Sequence, residues 1–346
     1  MPGVPRSEKL LIAPRYLLIL LLPVLVHTAS EVLLSTFGNT DVRHGPIQII
    51  ADPQMAELTG RYTFLAVFFF YSAVGITLVG IFAAELWSRH SPRSILQAMV
   101  GVVGLITVSL LFSKIEPEWM GSFEAYQLLG AEIFETALGG GLLPLCVSDA
   151  PPCLGRGAFF AMTFLMDKTN LISSLAVTAI IMGMVLALAQ SGKTDLSSPE
   201  GLLREGAELE AAQATTRRYL YCSGVLLSIG MMLGLAWMLW PADLLADGTQ
   251  QTKYRDLVQA VSLYRGVSYS VLILSYYMPV SLILMVRIER FHAAAKASGM
   301  DPVAADIKGF DIDRIGSLDA FKAILSIVSP IIASAVGSFT GLNVFG

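Results

Sequence analysis

The chain has 346 residues, 54% hydrophobic and only 14% charged, with a mean hydropathy of +0.65. Soluble domains carry about 25% charged residues, so this composition suits lipid rather than water as the main solvent. A net charge of −4 from 23 basic and 27 acidic residues, with no basic block, excludes a nucleic-acid surface, and three cysteines exclude a disulfide scaffold.

Residues 1–15 are basic, with Arg6, Lys9 and Arg15 ahead of an apolar run. The run Tyr16 to Thr36 is too long for a signal-peptide core and lacks a small-residue cleavage site, so it reads as a retained first span. Pro23 predicts a kink there. A polar loop from Gly38 to Arg61 leads to a second span, Tyr62 to Leu86, which holds Glu85 near its end. The short basic connector 87–93 is followed by an uncharged third span, Ile95 to Ser113. Residues 121–147 are apolar on average, but Glu124, Glu132 and Glu135 interrupt them and Gly139-Gly140-Gly141 weakens a helix. They read as an interfacial or re-entrant segment rather than a crossing.

Asp167-Lys168 splits the next apolar stretch, which places the fourth span at Leu171 to Gln190. Ser197-Ser198-Pro199-Glu200 reads as a capped helix start, and the helix runs on into the fifth span, Tyr219 to Trp240. The sixth span, Leu263 to Val286, leaves the membrane through Arg287, Glu289, Arg290 and Lys296 without a breaker until Gly299. Leu318 to Leu342 is a last apolar stretch containing Pro330. The expected class is therefore an all-α polytopic membrane protein with about six spans, two of them extended beyond the bilayer. Three regions are expected: 1–190, four spans with the interfacial segment; 191–299, a helical hairpin protruding into the cytoplasm; and 300–346, a linker and apolar helix. If 121–147 does not cross, Lys and Arg divide into 15 on the N-terminal side and 7 opposite, with Lys168 in the membrane. That asymmetry puts both termini in the cytoplasm, in a bacterial inner membrane or an organelle membrane.

His27 and Glu31 are the leading candidates for chemistry. They are four apart and share one helix face within the first span. Ionisable groups inside a span are costly and mark proton or substrate pathways, and histidine titrates near neutrality. The same pair also suits a static interhelical bond, which is the more common use. Glu85, Asp167 and Lys168 are weaker pathway candidates, each with an interfacial alternative. Gly230 and Gly234 form a GxxxG spacing that allows close helix packing, and Ser326, Ser334 and Ser338 form a stripe that suits polar contacts between helices. Cys146 and Cys153 flank a Pro151-Pro152 turn and could pair as a disulfide in an oxidising compartment. No nucleotide-binding, hydrolase or metalloprotease motif is present, so no catalytic residue, cofactor or metal is expected.

The stretch Leu86 to Leu96 faintly resembles the basic loop between the second and third spans of major facilitator transporters, and Ala137 to Pro144 and Gly155-Arg156-Gly157 echo that family's fourth and fifth spans. Ser88 and Ser91 stand where the family has an acidic residue and a glycine, and the chain has roughly half the family's spans, so the resemblance assigns no residue. Two functions follow as expectations. One is a small-solute or proton-linked translocator. The other is a non-catalytic subunit that meets protein partners through the helices 198–218 and 287–299.

Overall fold

The computed structural model describes residues 10–38, 47–119, 133, 136, 154–190, 196–298 and 317–340. Among them there is no strand; the elements are seven α-helices and two short 3-10 turns. The helices are α1 (Leu21–Gly38), α2 (Gln54–Arg89), α3 (Pro92–Trp119), α4 (Leu154–Leu186), α5 (Pro199–Leu239), α6 (Gly248–Ala297) and α7 (Ser317–Thr340). A 3-10 turn over Pro14–Leu20 precedes α1, and the change from 3-10 to α geometry falls just ahead of Pro23. Six stretches among the described residues are long and apolar enough to cross a membrane, which makes the protein a polytopic helical membrane protein. They are Pro14–Leu34, Met55–Arg89, Thr169–Leu186, Pro199–Leu244, Gly248–Ala297 and Ala320–Gly337. The last stretch, left open by the sequence, is among them; of the expected third span, Pro92–Val108 counts as a shorter apolar stretch, because the side chains of α3 beyond Val108 lie outside the described residues.

α5 and α6 form the spine. Ser198 caps α5, accepting a hydrogen bond from the Gly201 amide at 3.2 Å, and Asp247 caps α6 through the Thr249 amide at 2.8 Å. The two helices run antiparallel. The Tyr254 hydroxyl donates to the Met238 carbonyl at 2.6 Å, and Arg287 donates to Glu205 at 2.8 Å. Those contacts are 33 residues apart on each helix, so a single register holds along the hairpin. α2 lies on the other side of α5, with Phe64 against Trp237 at 5.4 Å and the Trp240 indole donating to the Glu57 carbonyl at 3.0 Å.

α7 lies in the groove between α5 and α6 and runs parallel to α5, with Gly224 facing Ser326 and Gly337 facing Leu235. Glycine is required where the helices touch. A Cβ on Gly224 would stand 2.6 Å from the Ser326 carbonyl oxygen, and one on Gly266 would stand 2.7 Å from the Ser334 hydroxyl. Pro330 cannot donate to the Ser326 carbonyl, and Ser329 does so instead at 2.9 Å while also reaching the Gly224 carbonyl at 3.2 Å. Gly230 faces the Tyr71 ring on α2, and Gly234 is buried in α5.

A short strap closes one end of the bundle. Leu10 donates to the Arg89 carbonyl at 3.2 Å and accepts from the Ser91 amide at 3.1 Å. Leu11 exchanges two backbone bonds with Gln190, at 2.6 and 2.8 Å. This strapped end therefore holds the start of α3 and the end of α4, and their opposite ends, Trp119 and Leu154, both point to the far end. The interfacial segment between them lies outside the described residues, apart from Ile133 and Thr136, as do Cys146 and Cys153. Because α7 follows α5, its last described residues lie at the far end, opposite Leu10, whereas the sequence reading put both termini on one side.

Candidate functional site

α1 meets α6 along a polar seam built by two four-residue repeats. On α1 it offers His27, Ser30 and Glu31; on α6 it offers Tyr264, Arg265, Ser268 and Tyr269. Glu31 pairs with Arg265, and the side chains are only 13% and 12% exposed. The Ser30 hydroxyl donates to that of Ser268 at 2.8 Å, and the Tyr264 hydroxyl donates to the Ser30 carbonyl at 2.6 Å. His27 Nδ1 lies 3.8 Å from the same Glu31 oxygen, and the His27 side chain is 47% exposed. The seam thus joins a shielded ion pair to an imidazole at its edge. Such a set can hold a proton on His27 at the edge of the ion pair while Glu31 stays paired with Arg265.

The His27–Glu31 spacing was readable, but Arg265 was missed because it stands two residues inside the sixth apolar run and reads as a loop charge. The signal was present nevertheless: Tyr264, Arg265, Ser268 and Tyr269 fall on one face of an otherwise apolar helix.

A second charged cluster lies toward the strapped end. Glu85 of α2 accepts from Tyr219 of α5 at 2.9 Å, pairs with Arg218, and lies 3.3 Å from Arg89. Glu85 is thus clamped between two arginines and a phenol. A third cluster ties the hairpin together beyond it: Arg287 and Glu205 are both buried. In the amide orientation its surroundings favour, Gln190 accepts from Arg287 Nε at 3.0 Å and Nη2 at 3.1 Å. Part of the surface expected to meet partners is therefore occupied within the chain. Asp167 and Lys168 lie within α4, and their side chains are outside the described residues. No group of three His, Cys, Asp or Glu among the described residues is placed to hold a metal ion.

These features define a multi-pass helical membrane protein with charged interhelical contacts inside its apolar stretches. No family model matches the chain, and neither a curated protein nor a solved structure matches it.

Proposed function

We propose that the protein is a small-solute or proton-linked translocator whose working joint is the α1–α6 seam. The observation that carries this reading is the shielded Glu31–Arg265 pair with His27 at its half-exposed edge. Intramembrane charges of this kind are retained where an ion pathway or a switch needs them. α1 is peripheral and α6 belongs to the spine, so a proton taken up by His27 would weaken the hold of Glu31 on Arg265 by sharing the carboxylate, and would let α1 shift against a fixed partner. The strapped end is cytoplasmic in this reading, because it carries the larger share of Lys and Arg. A crossing by α7 leaves that asymmetry intact, since no basic residue follows Lys322.

The test is flux in proteoliposomes loaded with a pH-sensitive dye, with candidate solutes added outside. Glu31→Gln should abolish pH-dependent flux in a folded protein. A folded Glu31→Gln protein with wild-type flux would sink the proposal. A second reading, a subunit of a larger complex, is favoured by the exposure of His27, which a neighbouring protein helix would cover at less cost than lipid. Co-purification of a stoichiometric partner from native membranes, lost on His27→Leu, would favour it.

A further inference from the structure

The lipid-facing apolar surfaces of α2 and α6 do not lie at the same height. On α6 the exposed apolar residues run from Leu263 through Val267, Val271, Met278 and Leu282 to Val286. Below Leu263 the exposed residues include Lys253, Arg255 and Asp256, and above Val286 come Glu289 and Arg290. On α2, beyond the Glu57–Arg61 ion pair that separates it from the exposed Met55 and Leu58, the apolar face runs from Tyr62 through Phe69 and Ile76 to Trp87, next to the Glu85–Arg89–Arg218 cluster.

The α5 contacts put both helices on one scale. The register of the hairpin places Val286 level with about residue 206 of α5, and the Glu85–Arg218 pair places Trp87 level with about residue 216, so the α6 face rises about 10 residues, roughly 15 Å, beyond that of α2. At the far end Leu263 is level with about residue 229 of α5, while Tyr62 of α2, just before the Phe64–Trp237 contact, is level with about residue 238. There α2 extends further by about nine residues, roughly 13 Å. Two apolar surfaces of similar length are thus offset in the same sense at both ends.

We infer that the bundle leans in the bilayer by roughly 35°, with α6 displaced toward the strapped side, and that lipid covers the Met278–Val286 face. Two independent quantities give this angle. An offset of about 15 Å across two helix spacings, about 18 Å, corresponds to a slope of about 40°. Separately, 24 residues of apolar α6 are about 36 Å long, and a hydrocarbon layer of about 30 Å accommodates that length at about 34°. The occupant of the face is lipid because the face continues the rest of α6's lipid surface without a break and ends in the charges of Glu289 and Arg290. This inference does not depend on the transport reading.

The test uses nitroxide labels on single cysteines in a background with Cys146, Cys153 and Cys222 replaced, in vesicles of phosphatidylcholine and phosphatidylglycerol. By the hairpin register Met285→Cys lies about four residues, roughly 6 Å, nearer the strapped end than Ala211→Cys, and both positions are exposed. A leaning bundle gives a Met285 label several-fold more accessible to oxygen than to a nickel chelate, and an Ala211 label with the reverse preference. Infrared dichroism of oriented bilayers should report a mean helix tilt well above the usual ~20°. An aqueous Met285 label would overturn the inference. So would a Met285 label shielded from both reagents, which would place protein there instead, or a mean tilt at or below the usual value.

Discussion

Neutralising Glu31 and removing it are different experiments, because an amide can still accept from Arg265 whereas alanine leaves the guanidinium facing lipid. Glu31→Ala should therefore destabilise the protein by about 3 kcal/mol, the scale for breaking a shielded ion pair from one side, and Glu31→Gln by much less. Exchanging the two, Glu31→Arg with Arg265→Glu, should recover most of the loss in a detergent melting assay. A swap no more stable than Arg265→Glu alone would mean that the pair does not act as a unit. His90 offers a separate handle at the strapped end. It is 4% exposed, its Nδ1 has no partner among the described residues, and burial holds its pKa below the ordinary value. Glu85 opposes that shift and Arg89 adds to it. The unfolded chain therefore takes up the proton first, at about pH 6.5, so the contribution of His90 is complete above that pH and is lost as pH falls below it. Melting temperature should drop between pH 7.5 and 5.5, and His90→Gln should flatten the drop. An unchanged pH dependence in His90→Gln would show that other groups set it.

At the scale of elements, the seat of α7 rests on Gly224 and Gly266 rather than on the residues of α7 itself. Gly224→Ala would drive a methyl into the Ser326 carbonyl, and the shift needed should cost about 1–3 kcal/mol and loosen α7. Gly104→Ala, where nothing lies within 4 Å, is the matched control and should be neutral or mildly stabilising. Proteolysis of α7 that does not respond to Gly224→Ala would refute this seat. The same element explains what the sequence could and could not tell. The spans came through because each is a long uninterrupted apolar run. The crossing status of α7 did not, because Pro330 and the serines read as defects until the glycines of two other helices are brought beside them. In the seam, His27 and Glu31 were legible through their four-residue spacing. Arg265 was not, since its partner is 234 residues away and no local pattern records that pairing.

For the whole molecule, the antiparallel course of α3 and α4 puts Trp119 and Leu154 at one end, so the chain between them starts and finishes on the same side. Reporter fusions at Met120 and Pro151 should accordingly report the same compartment, the one opposite the strapped end. Reports from opposite compartments would contradict the packing of α3 along α4. The expected pairing of Cys146 with Cys153 is a separate test, because both lie outside the described residues. Non-reducing mass spectrometry of protein from its native membrane should find them joined if they face an oxidising compartment.

The ion pair of the seam also sets a problem of timing for synthesis. At 5–20 residues per second, the ribosome needs roughly 10–50 s to make the chain between Glu31 and Arg265. For that interval α1 is a nascent segment whose carboxylate has only the imidazole of His27 beside it, which favours retention beside the insertion machinery over release into lipid. A photo-crosslinker at Leu33 should capture insertase components in ribosome-stalled chains that end before Arg265. It should lose them once α6 has emerged and Arg265 can reach Glu31, so release of the first helix waits on nearly the last one made.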